Sequence, residues 1–146
     1  MFNAIFVTAF FGFFRVNELV ANSHSDIGHA SSSEDVYISG KGVEVLLKHS
    51  KTDQKGKGTL ILLPRVKAGI CPVKAISEYM SIRTKCKGLF FVHANGVHVT
   101  RYQFNAVLKM GLEMKEVDGS NLRAHSFRTT ACLVGLSEDE IKGLGH

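Results

Sequence analysis

The run Val36-Tyr37-Ile38-Ser39-Gly40-Lys41-Gly42-Val43-Glu44-Val45-Leu46-Leu47-Lys48 decides the fold. Two stretches dominated by Val, Ile, Leu and Tyr flank Gly-Lys-Gly, the pattern of two strands joined by a turn. A third apolar run, Thr59-Leu60-Ile61-Leu62-Leu63, follows a polar and basic stretch over residues 49–58. The expected strands cover residues 36–39, 43–48 and 59–63. Short strands that follow one another through tight connections pair antiparallel. The stretch over 49–58 then becomes an exposed hairpin tip, placed to touch a ligand.

Outward from this hairpin the pattern turns helical. Residues 3–11 read as a buried helix, although their aromatics would also suit a strand, and Gly12 is expected to break it. The apolar run carries Phe2, Phe6, Phe10, Phe11, Phe13 and Phe14 and stops at Arg15. That is short of the roughly 20 residues a membrane span needs. It has neither a basic leader nor a small-residue cleavage site, so no signal peptide and no membrane partner are expected. A chain starting on such a helix is expected to begin within a larger protein. A short second helix covers 16–21 and opens at Arg15, and 22–35 reads as loop. Pro72 suits the first turn of a helix over 73–83. Residues 89–92 form a short apolar run, and Asn95-Gly96 marks a turn. Thr100 is placed to cap a helix reaching about residue 115. Helices over 125–134 and 138–144 complete the reading, the latter behind a capping box at Ser137. The fold class is mainly α with a small antiparallel β-sheet (α+β).

The chain has 146 residues, 45% of them apolar and 21% charged, which supports one domain with a real core. Its formal net charge of +5 favours an anionic partner, nucleic acid first. Cys71, Cys86 and Cys132 are odd in number and widely spaced, which argues against a disulfide framework and for a reducing compartment.

Two arginines, a lysine and two histidines carry the chemistry: Arg15, Lys51, His125, Arg128 and His146. Guanidinium forks grip the non-bridging oxygens of a phosphate, and Lys or His hands a proton to a leaving oxygen. Each element also has a plain structural reading. Arg15 suits an ion pair with Glu18 three residues on. His125 and Arg128 suit a solvated basic pair at a helix start, and Lys51 sits among Lys41, Lys48, Lys55 and Lys57 in a basic hairpin. His24 with His29, and His93 with His98, recur at five-residue spacing without nearby Cys or carboxylate partners, so no metal site is expected. Gly40-Lys41-Gly42 and Gly56-Lys57-Gly58 precede no helix and are not phosphate loops.

In their order, these segments resemble the catalytic domain of the tyrosine recombinase (phage integrase) family. Gly12-Phe13-Phe14-Arg15-Val16-Asn17-Glu18-Leu19 is similar to the family's first arginine box. Lys51 in Ser50-Lys51-Thr52-Asp53-Gln54 resembles its β-hairpin lysine, His125-Ser126-Phe127-Arg128 its His-x-x-Arg box, and Leu144-Gly145-His146 its Leu-Gly-His box. Cys71-Pro72-Val73-Lys74-Ala75, Val99-Thr100-Arg101-Tyr102-Gln103-Phe104 and His125-Ser126-Phe127-Arg128-Thr129 look like the eukaryotic branch carried by Crypton and DIRS/Ngaro mobile elements.

The resemblance implies a tyrosine-recombinase catalytic-domain architecture over residues 1–146, incomplete at both ends. It implies DNA strand cleavage and rejoining through a 3′-phosphotyrosyl link, with no cofactor and no metal. Arg15 and Arg128 would be the phosphate grips. His125 would assist proton transfer, Lys51 would protonate the leaving 5′-oxygen, and His146 would bond or brace the phosphate. Glu18 would orient Arg15 or His125, and Lys48, Lys55, Lys57 and Arg101 would meet the DNA backbone. The implied partners are double-stranded DNA and further copies of the full-length protein on that DNA, in the nucleus if the host is eukaryotic, as the resemblance suggests, and otherwise in the cytoplasm. The family's nucleophilic tyrosine follows the Leu-Gly-His box by about ten residues. Tyr37, Tyr79 and Tyr102 all lie upstream of it. The alternative is a DNA-binding module derived from a recombinase and free of catalysis.

Overall fold

The computed structural model describes residues 1–48, 58–67 and 69–114. Four helices and three strands occur among them, in the order α1 (Phe2–Gly12), α2 (Val16–Leu19), β1 (Val36–Ile38), β2 (Gly42–Leu47), β3 (Thr59–Pro64), α3 (Pro72–Ile82) and α4 (Arg101–Glu113). The architecture is α+β, with one antiparallel sheet of order β1-β2-β3. The expected helices over 125–134 and 138–144 lie outside the described residues.

Register explains which face of the sheet is dry. Val36 pairs with Val45, and Val45 with Ile61, while Val43 pairs with Ile38 and Leu63. Of these, all but Ile38 are buried. Because side chains alternate across a strand, the row Tyr37, Glu44, Leu62 points away from the core, with Leu60 and Leu62 exposed. The inner face is roofed by α3, which packs on β2 and β3, and α1 packs on α3 and β3. At the first turn, Ser39 and Gly42 exchange backbone bonds at 2.8 and 3.3 Å, so β1 ends at Ile38 rather than at Ser39. Gly42 sits at φ +156°, and a Cβ there would lie 2.1 Å from the Leu63 carbonyl oxygen. The close approach of β3 therefore requires glycine.

The end of α1 differs from expectation in an instructive way. Gly12 is its last helical residue and does not break it. The chain reverses at Phe13, a non-glycine in the left-handed region at φ 51°, whose N–H caps the carbonyls of Ala9 and Phe10. Such a conformation is disfavoured for a residue with a Cβ. The role of Gly12 is steric: a Cβ would stand 2.2 Å from the Phe14 ring, which folds back under the helix and is 2% exposed. Burial of Phe13 and Phe14 offsets the backbone strain.

α2 is shorter than expected, ending at Leu19. Ala21 leaves the helix to form a parallel bridge with Thr100, donating to Val99 and accepting from Arg101 at 3.0 and 2.8 Å. Thr100 and Gln103 form the reciprocal cap of α4. Beyond that cap α4 buries only Phe104. A second fastening runs through Tyr79, which is buried. Its hydroxyl lies 3.0 and 3.1 Å from the carbonyls of Phe90 and Val92 and accepts the Val92 N–H at 2.8 Å. Burial pushes its phenol pKa up. No helix among the described residues is long and apolar enough to cross a membrane.

Candidate functional site

Arg15 stands where α1's reversal hands the chain to α2, so the buried Phe13-Phe14 pair fixes its backbone. Glu18 lies one turn on, and its carboxylate holds the arginine twice. One oxygen accepts the Arg15 backbone N–H at 2.7 Å, and the other accepts Nη1 at 3.1 Å. The Glu18 side chain is 8% exposed and that of Arg15 34%. The carboxylate is therefore sunk beneath the guanidinium, and the guanidinium opens to solvent. Among the described residues, Nη2 and Nε make no further hydrogen bond. A fork with one tine fixed by a buried carboxylate and the others open is arranged for a planar, two-oxygen acceptor.

Glu18 is itself anchored through its backbone. Its carbonyl accepts the Ser31 N–H at 2.8 Å and the Ser31 hydroxyl at 3.0 Å, and the Ser31 carbonyl accepts the Phe90 N–H at 2.9 Å. Sequence reading missed Ser31 because it lies in the polar loop over 22–35, where nothing local marks a buried hydroxyl.

Arg101 opens α4 and is exposed, and its side chain has no ion pair among the described residues. The bridge through Ala21 ties the α2 side of the fold directly to its backbone. Lys48 has a different environment. Its Nζ lies 2.7 Å from Oδ1 of Asp35, whose side chain is 5% exposed, while Oδ2 accepts the Ser32 N–H and hydroxyl at 2.9 and 2.7 Å. Burial alone would push the Asp35 carboxyl up, but the hydrogen bonds from Lys48 and Ser32 outweigh it and hold the group below its ordinary value. Lys51, Lys55, Lys57, His125, Arg128 and His146 lie outside the described residues. Of the candidate residues, the structure thus brings together Arg15 and Glu18, places Arg101 on an adjoining element and gives Lys48 an internal partner.

A carboxylate whose folded pKa is depressed stabilises the fold above its ordinary value and loses that contribution as pH falls through the folded one. Asp35→Asn is therefore expected to lower stability by about 1–3 kcal/mol near pH 7, the usual effect of weakening a buried hydrogen-bonded charge. Urea denaturation at pH 7 and at successively lower pH checks this, because the gap between wild type and variant should narrow only as the pH falls below the ordinary carboxylate range. Lys48→Ala is expected to leave the salt dependence of any polyanion binding nearly unchanged, since Asp35 already compensates that charge. A salt slope reduced by a full contact would show that Lys48 leaves Asp35 for the ligand.

No family model matches the chain, and neither the curated proteins nor the solved structures contain a significant match to it.

Proposed function

We propose that this chain carries the phosphate-gripping side of a DNA strand-cleaving and rejoining site of the tyrosine recombinase type. The observation that carries the reading is the Arg15–Glu18 pair. It joins a half-open guanidinium to a buried carboxylate brace at the end of an apolar helix. The order of the other boxes, Lys51, His125-x-x-Arg128 and His146, supports it, as does the net charge of +5.

On this reading the reacting phosphate gathers negative charge on its equatorial oxygens, and positioned cations stabilise that charge most in the transition state. Arg15 and Arg128 grip those oxygens. His125 bonds one of them and assists proton transfer, and His146 braces the phosphate. Lys51 gives its proton to the departing 5′-oxygen, and Glu18 keeps the Arg15 fork in the plane of its target. Lys55, Lys57 and Arg101 add sequence-blind affinity for the DNA backbone. The attacking tyrosine is none of those in this chain. Tyr79 is buried and hydrogen-bonded to backbone, Tyr37 lies on the outer sheet face, and Tyr102 projects from α4. The partner is double-stranded DNA, on which further copies of the protein assemble, in the nucleus if the host is eukaryotic.

Fluorescence polarisation with a labelled duplex tests the binding half. Binding should weaken linearly in log K against log salt, and its absence at low salt would remove the reading. A nicked suicide substrate tests the chemical half. No covalent protein–DNA adduct is expected from these 146 residues. An adduct would overturn the exclusion of Tyr37, Tyr79 and Tyr102.

A further inference from the structure

The two histidine pairs that share a five-residue spacing are re-sorted by the fold. His24, on the exposed loop after α2, meets His98, which precedes the cap of α4, with ring centroids 5.5 Å apart and planes inclined by 46°. His93 turns instead to Gln103. His24 and His93 line one open hollow of about 590 Å³ together with Ala94, Asn95, Val97 and Gln103.

Hydrogen bonding fixes the tautomers. The Ser23 carbonyl is only an acceptor, so Nε2 of His98, 3.3 Å from it, carries a proton, and in the neutral ring the lone pair lies on Nδ1. The carboxamide oxygen of Gln103 accepts the Thr100 N–H at 3.0 Å, so Nε2 of His93, 3.2 Å away, is also a donor. A ring N–H given to a backbone carbonyl is the usual companion of a metal-ligating imidazole. It orients the ring and raises the basicity of the other nitrogen. Two imidazoles bound at about 2.0–2.1 Å to one tetrahedral ion bring their ring centres to roughly 5 Å, close to the separation seen.

We propose that His24 and His98 form a two-histidine site for a divalent d-block cation, Zn²⁺ in the first instance, which clasps the loop after α2 to the start of α4. Imidazole is a preferred donor for such ions. No group of three or more His, Cys, Asp or Glu close enough to hold a metal occurs among the described residues. Water therefore completes the coordination shell, and the ion exchanges readily. The charged group nearest the pair along the loop is Asp26, whose carboxyl is held low first by the Asn22 side chain and then by the Gly28 N–H. It adds negative potential without being a ligand. The site is independent of the DNA reading, because neither histidine belongs to the phosphate-gripping set.

Zinc chloride titrated into the 146-residue chain, followed through the imidazole ¹⁵N resonances, tests the proposal. The His24 and His98 rings are expected to shift together and to saturate at one ion per chain, with the change at His98 centred on Nδ1. His24→Ala, at an exposed position, should weaken the His98 response at least tenfold, and His98→Ala should do the same to His24. Retention of the His98 response in His24→Ala would overturn the proposal, as would saturation of the other histidines before this pair.

Discussion

Phe104→Ala is expected to destabilise the protein by about 3–5 kcal/mol, the range for deleting a buried aromatic ring. Phe104 is 0% exposed and meets the Phe6 ring edge-on, with centroids 5.0 Å apart and planes at 62°. It is the sole fully buried residue of α4, and together with the partly buried Leu108 it seats that helix on the core. Against a typical total stability of about 5–15 kcal/mol, such a loss is large. Alanine also leaves a cavity that Phe6, attached to a fixed helix, fills only in part. Urea unfolding measures the total, and amide exchange locates it. Protection in α4 should fall first, while the β2–β3 ladder keeps more of its protection. Phe104→Leu should recover part of the loss by refilling the volume. A change below about 1 kcal/mol in Phe104→Ala would mean that the flanking cap and the Ala21 bridge hold α4 without the ring.

What the sequence made legible was local. Gly-Lys-Gly between two β-rich runs set the first turn, and Gly42 proved necessary because β3 passes so close. Thr100 announced the start of α4, and Pro72 that of α3. The Arg15–Glu18 pair was also legible, since residues three apart at a helix start meet without help from the rest of the fold. Tertiary pairings were not. The run Leu60-Ile61-Leu62-Leu63 is uniformly apolar, so nothing in it told the buried Ile61 and Leu63 from the exposed Leu60 and Leu62. Ala21 was assigned to a helix because its partner Thr100 is far along the chain. The Asp35 partner of Lys48 was hidden for the same reason, since it stands just ahead of the neighbouring strand and not nearby in the chain. One signal was there to be used: Ser32-x-x-Asp35 is a side-chain turn pattern, and it marked Asp35 as engaged. Convergence of Arg15 with Lys51, His125, Arg128 and His146 is a tertiary property of this kind, and only the first of these is among the described residues.

On the proposed reading, Arg15→Ala is expected to slow strand transfer by roughly 10²–10³-fold, the loss that follows removal of one donor to a developing oxyanion. The assay uses a form of the protein that carries the nucleophilic tyrosine. Duplex affinity at low salt should change little, because many other cations share the backbone contacts. A loss in rate without a matching loss in binding marks an interaction made in the transition state. Arg15→Lys should fare little better than alanine. A lysine supplies charge but not a planar fork, and its ammonium would be drawn to the buried Glu18 carboxylate rather than shared with a phosphate. Glu18→Gln separates orientation from charge. The amide oxygen still accepts the Arg15 backbone N–H, so α2 keeps its start, but the ionic hold on Nη1 is gone. Its rate should fall by about 10–100-fold, as is common when a residue that orients a reacting group is altered. If Arg15→Ala transfers strands at the wild-type rate, or if its activity falls only as far as its DNA affinity does, then the guanidinium of Arg15 stabilises no transition state, and the phosphate-gripping role assigned to it fails.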